Sequence, residues 1–140
     1  MRTNRLNFAI ASILLAVAVL ACNASTANIS SVKVGKDKSV SQENTSFGAN
    51  DPVYAVATIS NNPGKVKVKG LMAFEDVAGQ QTGPVPGLEK TLELDGSGTA
   101  TYTFTPPPDG WPKGKYKLEV IMLNEAGEQK DQKSTSLNIE

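Results

Sequence analysis

Few residues of this 140-residue chain have the types and spacing that catalysis needs. The chain contains no His and a single Cys, Cys22. Without His it cannot build a Ser-His-Asp triad, a Cys-His pair or an imidazole metal site. A lysine-based or paired-carboxylate mechanism is what remains, and Glu75-Asp76 is the one adjacent acid pair. We expect that pair to be a solvated turn at the end of a strand, so the sequence predicts no catalytic residues and no enzyme.

Metal and cofactor sites are not predicted either. Asp95-Gly96-Ser97-Gly98 has the composition of a calcium loop but lacks the spaced oxygen ligands that such a loop requires. A tight hairpin turn, in which Gly supplies the positive φ angle, explains the same residues. We therefore expect no metal and no cofactor.

The first 21 residues have the pattern of an export signal. Arg2 and Arg5 form a positive start, and an apolar run of 13 residues follows at positions 8–20. A membrane-spanning helix needs about 20 apolar residues, so this run is too short to span and is expected to be cleaved.

Cys22 follows the apolar run directly. Val19-Leu20-Ala21-Cys22 resembles the lipobox of bacterial lipoproteins, in which the Cys becomes the first mature residue and carries acyl chains. Leu20 departs from the small residue that is commoner there. The resemblance implies lipidation of Cys22 and attachment to a membrane, since two or more chains give a stable anchor. In proteobacterial lipoproteins an Asp after the Cys is similar to a signal for retention in the inner membrane. Asn23 stands at that position here, so the resemblance implies the outer membrane in a host that has one.

The charge balance excludes a nucleic-acid partner. Arg2 and Arg5 lie in the leader, so the mature chain keeps 12 lysines against 14 acidic residues. Nucleic-acid-binding domains have a basic stripe or patch, and this composition provides none.

The body after the leader alternates apolar and polar residues with a period of two, broken by turn residues. We interpret 22–28 as the lipidated Cys and a short tether, and 29–140 as one all-β domain. Pro- and Gly-rich segments at 77–88 and 106–114 are expected to be loops, as is the polar segment 124–133, and the turn at 95–98 is expected to join two strands as a hairpin. The strands are expected at 29–35, 53–60, 65–75, 89–94, 99–105, 115–123 and 134–139.

The entry to the sixth strand carries a resemblance to a known fold. Gly114-Lys115-Tyr116 followed by alternating apolar residues resembles the start of strand F in immunoglobulin-like domains. The resemblance implies an antiparallel β-sandwich of about seven strands, with the hydroxyl of Tyr116 bonded to upstream backbone. Such a fold hosts many functions, so it leaves the function open.

Two surfaces are candidates for binding. Trp111 is the lone loop aromatic that could anchor a partner, although burial over the end of the core is the preferred interpretation. The second candidate is the outer face of strands 65–75 and 115–123, where lysines mix with branched apolar residues. Alternatively, the lysine stems simply cover that apolar surface. The candidate residues on this face are Lys67, Leu71, Lys117, Ile121 and Leu123.

A further resemblance concerns the loops. Asn62-Pro63-Gly64 and the Gly-rich turn at 96–98 are similar to two inhibitory loops of immunoglobulin-fold inhibitors of cysteine proteases. The third loop of that family carries an aromatic residue, whereas 124–133 is entirely polar. A six-residue tether also reaches only about 20 Å, which would turn these loops toward the membrane.

The sequence thus predicts a lipid-anchored, non-enzymatic module of the bacterial cell envelope. Its partner would be an envelope protein or a glycan, in addition to the membrane itself. The alternatives are a protease inhibitor and an accessory or glycan-binding domain of an envelope hydrolase system.

Overall fold

The computed structural model describes residues 27–140. The predicted leader, the lipidation site Cys22 and most of the tether lie outside the described residues. Within residues 27–140, every helix or strand element is a β-strand. No helix in that part of the chain is long and apolar enough to cross a membrane.

The strands form two sheets that pack face to face, which confirms the predicted all-β, immunoglobulin-like sandwich. One sheet has the order β1-β3-β6, and the other has the order β2-β8-β7-β4-β5. Neighbouring strands are antiparallel except β2, which runs parallel to β8. The strands are β1 Asn28–Gly35, β2 Ser46–Phe47, β3 Val53–Ser60, β4 Lys65–Val77, β5 Gly83–Asp95, β6 Gly98–Phe104, β7 Gly114–Leu123 and β8 Gln129–Ile139.

Alternation along the strands builds the core, because successive side chains point to opposite faces of a sheet. The inner faces of β3, β6 and β7 are almost fully buried, as their apolar alternation predicts. On the edge strand β5, Leu92 and Leu94 also turn toward the core but are only half-buried. The largest fully buried side chains are Tyr102, Tyr116, Phe47 and Phe104.

Tyr102 fills the space that a glycine leaves in the opposite sheet. A Cβ atom on Gly70 would lie 2.8 Å from a ring carbon of Tyr102, with two further ring carbons at 2.9 Å. The Tyr102 hydroxyl donates a hydrogen bond to the Val68 carbonyl at 2.6 Å. The space over Gly70 is therefore occupied by an aromatic ring that bridges the two sheets.

Tyr116 makes the hydrogen bond to upstream backbone that the immunoglobulin-like resemblance implies, an arrangement called the tyrosine corner. Its hydroxyl donates to the Pro112 carbonyl at 2.8 Å. Gly114 precedes it at φ +143°, where a Cβ atom would lie 2.5 Å from the Asp76 carbonyl oxygen. Only glycine allows β7 to begin this close to the end of β4.

The predicted hairpin at 95–98 is wrong. The strand before the turn, β5, pairs with β4, whereas the strand after it, β6, pairs with β3 in the other sheet. The turn therefore crosses between sheets. Leu92 and Leu94 satisfy the same alternation in either sheet, so the apolar pattern cannot select the pairing partner.

Two predicted loops are partly strand. Within 77–88, Gly83 and Pro84 pair with Phe74 and Ala73, and a register shift on β5 separates that pairing from the one at Glu89. Prolines are tolerated here because β5 is an edge strand whose outer side needs no donor. Within 124–133, the strand already begins at Gln129, because backbone pairing with β7 does not require apolar side chains.

The sandwich has two distinct ends. We call the first the chain-entry end: it holds Ala27 together with the turns at 61–64, 95–98 and 124–128. The opposite end, called the free end, holds the segments 36–45, 78–82 and 105–113. The two Pro- and Gly-rich segments therefore lie at the end opposite to the point where the chain enters.

Candidate functional site

An apolar groove lies at the free end, and we call it the end groove. It has a volume of about 270 Å³ and nine lining residues. Two segments form most of its walls, the start of β5 and the connection between β6 and β7. The lining residues are Phe74, Val85, Pro86, Leu88, Thr105, Pro107, Trp111, Pro112 and Tyr116.

The irregular start of β5 forms one wall. The pairing of β5 with β4 breaks between Glu89 and Pro84, so the intervening residues leave the ladder. Gly87 has φ +79°, a conformation that glycine adopts without strain. Val85 and Leu88 consequently turn toward the core and remain half-buried.

Trp111 anchors the opposite wall. It is 3% exposed, in agreement with the expectation that it covers the end of the core. Its backbone N–H donates to the Ala49 carbonyl at 2.7 Å, and its indole Nε1–H donates to the Asp51 carbonyl at 2.8 Å. Its ring meets Tyr116 edge to face, with centroids 6.2 Å apart.

The polar atoms of the groove aromatics already have partners. The indole N–H of Trp111 and the hydroxyl of Tyr116 both donate to backbone carbonyls. Burial also raises the pKa of the Tyr116 hydroxyl. The walls therefore offer apolar surface and no free aromatic polar atom, and the buried rings of Trp111 and Tyr116 leave little face on which a sugar could stack.

The other predicted surface is the outer face of β4 and β7. In the pairing of β4 with β7, Lys69 lies opposite Ile121 and Lys67 lies opposite Leu123. The candidates on this face therefore lie together on one side of the sheet: Lys67, Leu71, Lys117, Ile121 and Leu123. Trp111 lies elsewhere, at the free end. The structure thus separates the candidates into two regions of the molecule.

Leu71 does not present the side chain that a docking face would need. It was expected to be exposed, but it is only 6% exposed, and its neighbour Ala73 on the same face is 5% exposed. Leu71 pairs with Glu119 on one side and Glu89 on the other, so long charged side chains flank it.

Ion pairs further neutralise this face. Lys117 Nζ lies 2.7 Å from the Glu119 carboxylate, which raises the pKa of Lys117 through a direct hydrogen bond. Lys69 pairs with Glu89 at 3.5 Å. These contacts agree with the alternative interpretation, in which lysine side chains cover the apolar atoms.

A larger space of about 580 Å³ opens at the chain-entry end, between the turns at 61–64 and 124–128. Its walls mix Lys65, Lys130 and Glu125 with backbone and small apolar groups. Asn62 ties the neighbouring turns together, since its side-chain amide donates to the Gly96 carbonyl at 2.9 Å. The loops that resemble those of protease inhibitors therefore lie beside Ala27, at the end where the chain enters.

The described part of the chain contains no group of three or more His, Cys, Asp or Glu residues close enough to hold a metal ion. The strongest acidic feature is Asp37. Hydrogen bonds, first from the Ser39 hydroxyl and then from the backbone and hydroxyl of Ser41, lower its pKa to about 2. These bonds stabilise its own loop.

Comparisons with known proteins show the fold of this chain but assign it to no family. No family model matches the chain, and no curated protein matches it. Many solved structures are similar to it, and three of them serve as examples. A Niemann-Pick type C2 protein from the Japanese carpenter ant is 16% identical, with 85% of this chain and 96% of that chain covered and a TM-score of 0.49. The PmoD soluble domain from Methylocystis sp. is 14% identical, with 78% and 89% covered and a TM-score of 0.44.

The third similar structure is a β-glucosidase involved in saponin metabolism from intestinal bacteria. It is 16% identical with a TM-score of 0.50, and the alignment covers 83% of this chain but only 16% of that enzyme. At such identities the similarity shows the β-sandwich fold alone.

Proposed function

We propose that this protein is a lipid-anchored, non-catalytic binding module of the bacterial cell envelope that holds a partner protein in the end groove. The observation that carries the proposal is the groove itself: a half-open apolar slot built from two Pro- and Gly-rich segments at the free end. Lipidation of Cys22 supplies the anchor in this proposal.

The geometry supports a division of labour between the two ends. Five residues separate the lipid-bearing end of Cys22 from Ala27, and they span at most about 18 Å when fully extended. Ala27 lies at the chain-entry end. The anchor would hold that end near the membrane, and the groove would face away from it, toward other envelope components.

The chemistry of the groove supports binding rather than catalysis. Its nine lining residues include no acid, no base and no cysteine, and the polar atoms of Trp111 and Tyr116 are already hydrogen-bonded. A slot of this kind recognises an apolar group by burial. Trp111 and Tyr116 are 3% and 0% exposed, so they offer little ring face on which a sugar could stack, which favours a protein partner.

The groove also supports binding better than the outer face of β4 and β7. On that face Leu71 is buried, and both Lys117 and Lys69 pair with nearby glutamates. That face therefore offers a partner neither an exposed Leu71 side chain nor an unpaired charge at Lys69 or Lys117.

The anchor is tested by fractionation and intact mass. In the native host, the mature protein is expected in the membrane fraction with an acylated Cys22, and Cys22→Ser is expected in the soluble envelope fraction. An unmodified mature N-terminus in the wild-type protein would contradict the anchor while leaving the groove untouched.

The binding surface is tested by matched variants in a mild crosslinking experiment. Leu88→Glu places a charge in the groove, whereas Ile121→Glu places the same charge on the outer face of β4 and β7. We expect Leu88→Glu to lose a reproducible crosslinked partner that Ile121→Glu retains. Loss with Ile121→Glu alone would assign the outer face instead.

A further inference from the structure

We propose that the free edge of β6 pairs with an extended peptide segment of the partner, and that an apolar side chain of this segment enters the end groove. This proposal deepens the proposed function and depends on it. It assigns a backbone recognition site to an edge that the sequence analysis expected β5 to cover.

The sheet topology leaves this edge open. β6 is the last strand of the order β1-β3-β6, and β5 is the last strand of the order β2-β8-β7-β4-β5. In residues 27–140, no strand pairs with the outer side of β6. An exposed strand edge of this kind offers unpaired backbone N–H and C=O groups to another chain.

A single side-chain contact identifies which backbone groups face outward. Lys90 of β5 donates a hydrogen bond from Nζ to the Thr103 carbonyl at 2.6 Å. The Thr103 carbonyl therefore points away from β3. Backbone groups alternate in direction along an antiparallel strand, so those of Thr99 and Thr101 face the same outer edge.

The edge and the groove are continuous. Thr105, which follows the end of β6, lines the groove, as do Val85 and Leu88 of the facing strand β5. A peptide that pairs along Thr99 and Thr101, and that shares the Thr103 carbonyl with Lys90, would bring its next side chains to the groove mouth. This combination fits the strand-addition mode, in which main-chain bonds give affinity and a pocket gives specificity.

The same combination selects a peptide over an acyl chain. An acyl chain fills apolar space but cannot bond the outward N–H and C=O groups of β6. Trp111 and Tyr116 are almost fully buried, so the accessible walls of the groove come from Phe74, Val85, Leu88 and three prolines. These rigid apolar surfaces pack well against an aromatic or proline side chain.

In the proposed mature chain, which begins at Cys22, the chain's own tether is too short to be the occupant. Ala27 lies beside β1, at the opposite edge of the three-stranded sheet. From there the groove is about 20 Å along the strands and about 10 Å across two strand spacings. The five residues from Cys22 to position 26 reach at most about 18 Å, which is too short.

A second folded copy fits poorly for reasons of size. A stable interface between folded proteins uses about 20–30 residues a side. The edge of β6 has 7 residues and the groove has nine lining residues. An extended segment needs far less surface than a folded partner, and this edge and groove match it.

The test uses the mature chain carrying Cys22→Ser and a phage library of random dodecapeptides as the probe. Enriched peptides are synthesised and their affinities measured by calorimetry. Thr101→Pro removes an outward N–H that the pairing with β3 does not use, and Thr101→Val is its matched control. We expect Thr101→Pro to weaken binding about ten-fold, the effect of one lost hydrogen bond left unpaired, and Thr101→Val to leave it unchanged.

Amide hydrogen exchange on the wild-type chain gives a second readout that does not depend on the folding of any variant. We expect the bound peptide to protect the amides of Thr99, Thr101 and Thr103. In the calorimetric measurements, we expect Leu88→Glu to abolish binding. Equal affinity for the two Thr101 variants, protection elsewhere, or a library without enriched peptides would overturn the proposal. So would a dimer formed through β6, or saturation of the groove by decanoate alone. If these peptide experiments fail but Leu88→Glu still loses the crosslinked partner, the pairing with β6 is wrong and the proposed function stands.

Discussion

Gly70→Ala should destabilise the domain because the added methyl group would clash with the ring of Tyr102 on the opposite sheet. A Cβ atom at this position would lie 2.8 to 2.9 Å from three ring carbons of Tyr102, distances that carbon atoms cannot share. Tyr102 is 1% exposed, and its hydroxyl is bonded to the Val68 carbonyl, so the ring has little room to retreat. Overpacking of this kind costs about 1–3 kcal/mol.

The matched control is Gly98→Ala, since nothing lies within 4 Å of a Cβ atom at that position. Ala in a strand generally stabilises relative to Gly by about 0.5–1 kcal/mol, so the two substitutions should act in opposite directions. A loss of about 2 kcal/mol at Gly70 corresponds to a Tm lower by roughly 8 °C in a domain of this size.

The assay is urea denaturation followed by circular dichroism, with a thermal scan alongside. A double variant, Gly70→Ala with Tyr102→Val, should recover part of the loss expected from the two single changes, because removing the ring relieves the clash. If Gly70→Ala were as stable as Gly98→Ala, the bridging of the two sheets by Tyr102 would be refuted.

Three further predictions concern single side chains. Tyr116→Phe should lower the free energy of unfolding by about 1 kcal/mol in urea titrations through loss of its corner hydrogen bond, whereas Tyr54→Phe should change it little. Burial raises the pKa of Tyr102 above the ordinary value near 10, so the stability it contributes is fully present below pH 10 and should fall as pH rises further; a constant unfolding midpoint across that alkaline range would contradict this. The Ser39 hydroxyl is the main cause of the lowered pKa of Asp37, about 2, so its loop should stay ordered above pH 4 and loosen as pH falls toward 2; carboxyl NMR titration with a midpoint near 4 would show that these bonds are absent in solution.

The sequence predicted which face of each strand is buried better than it predicted which strands pair with each other. Alternation identified the inner faces of β3, β6 and β7 because burial on one face of a sheet requires it. It could not decide whether β5 pairs with β4 or with β6, since Leu92 and Leu94 reach the core in both arrangements. That choice depends on contacts across the whole sandwich, and it determines whether the edge of β6 is covered.

The binding surface was only partly visible in the sequence. Trp111 stood out because it is the single Trp, and its burial over the end of the core was the preferred interpretation. The groove between them depends on Val85 and Leu88, whose inward direction arises from the break in the β5 ladder. Leu71 was assigned to a docking face from alternation alone, which does not report the side chains of neighbouring strands that cover it.

Photo-crosslinking in living cells of the native host tests the central claim most directly. A photoreactive amino acid is placed at Pro86, on the groove, and in a separate variant at Glu125, at the chain-entry end. The account predicts a discrete, light-dependent protein adduct from position 86 and none of the same mass from position 125. An adduct with the same protein from position 125 alone would contradict the claim that the groove at the free end binds the partner.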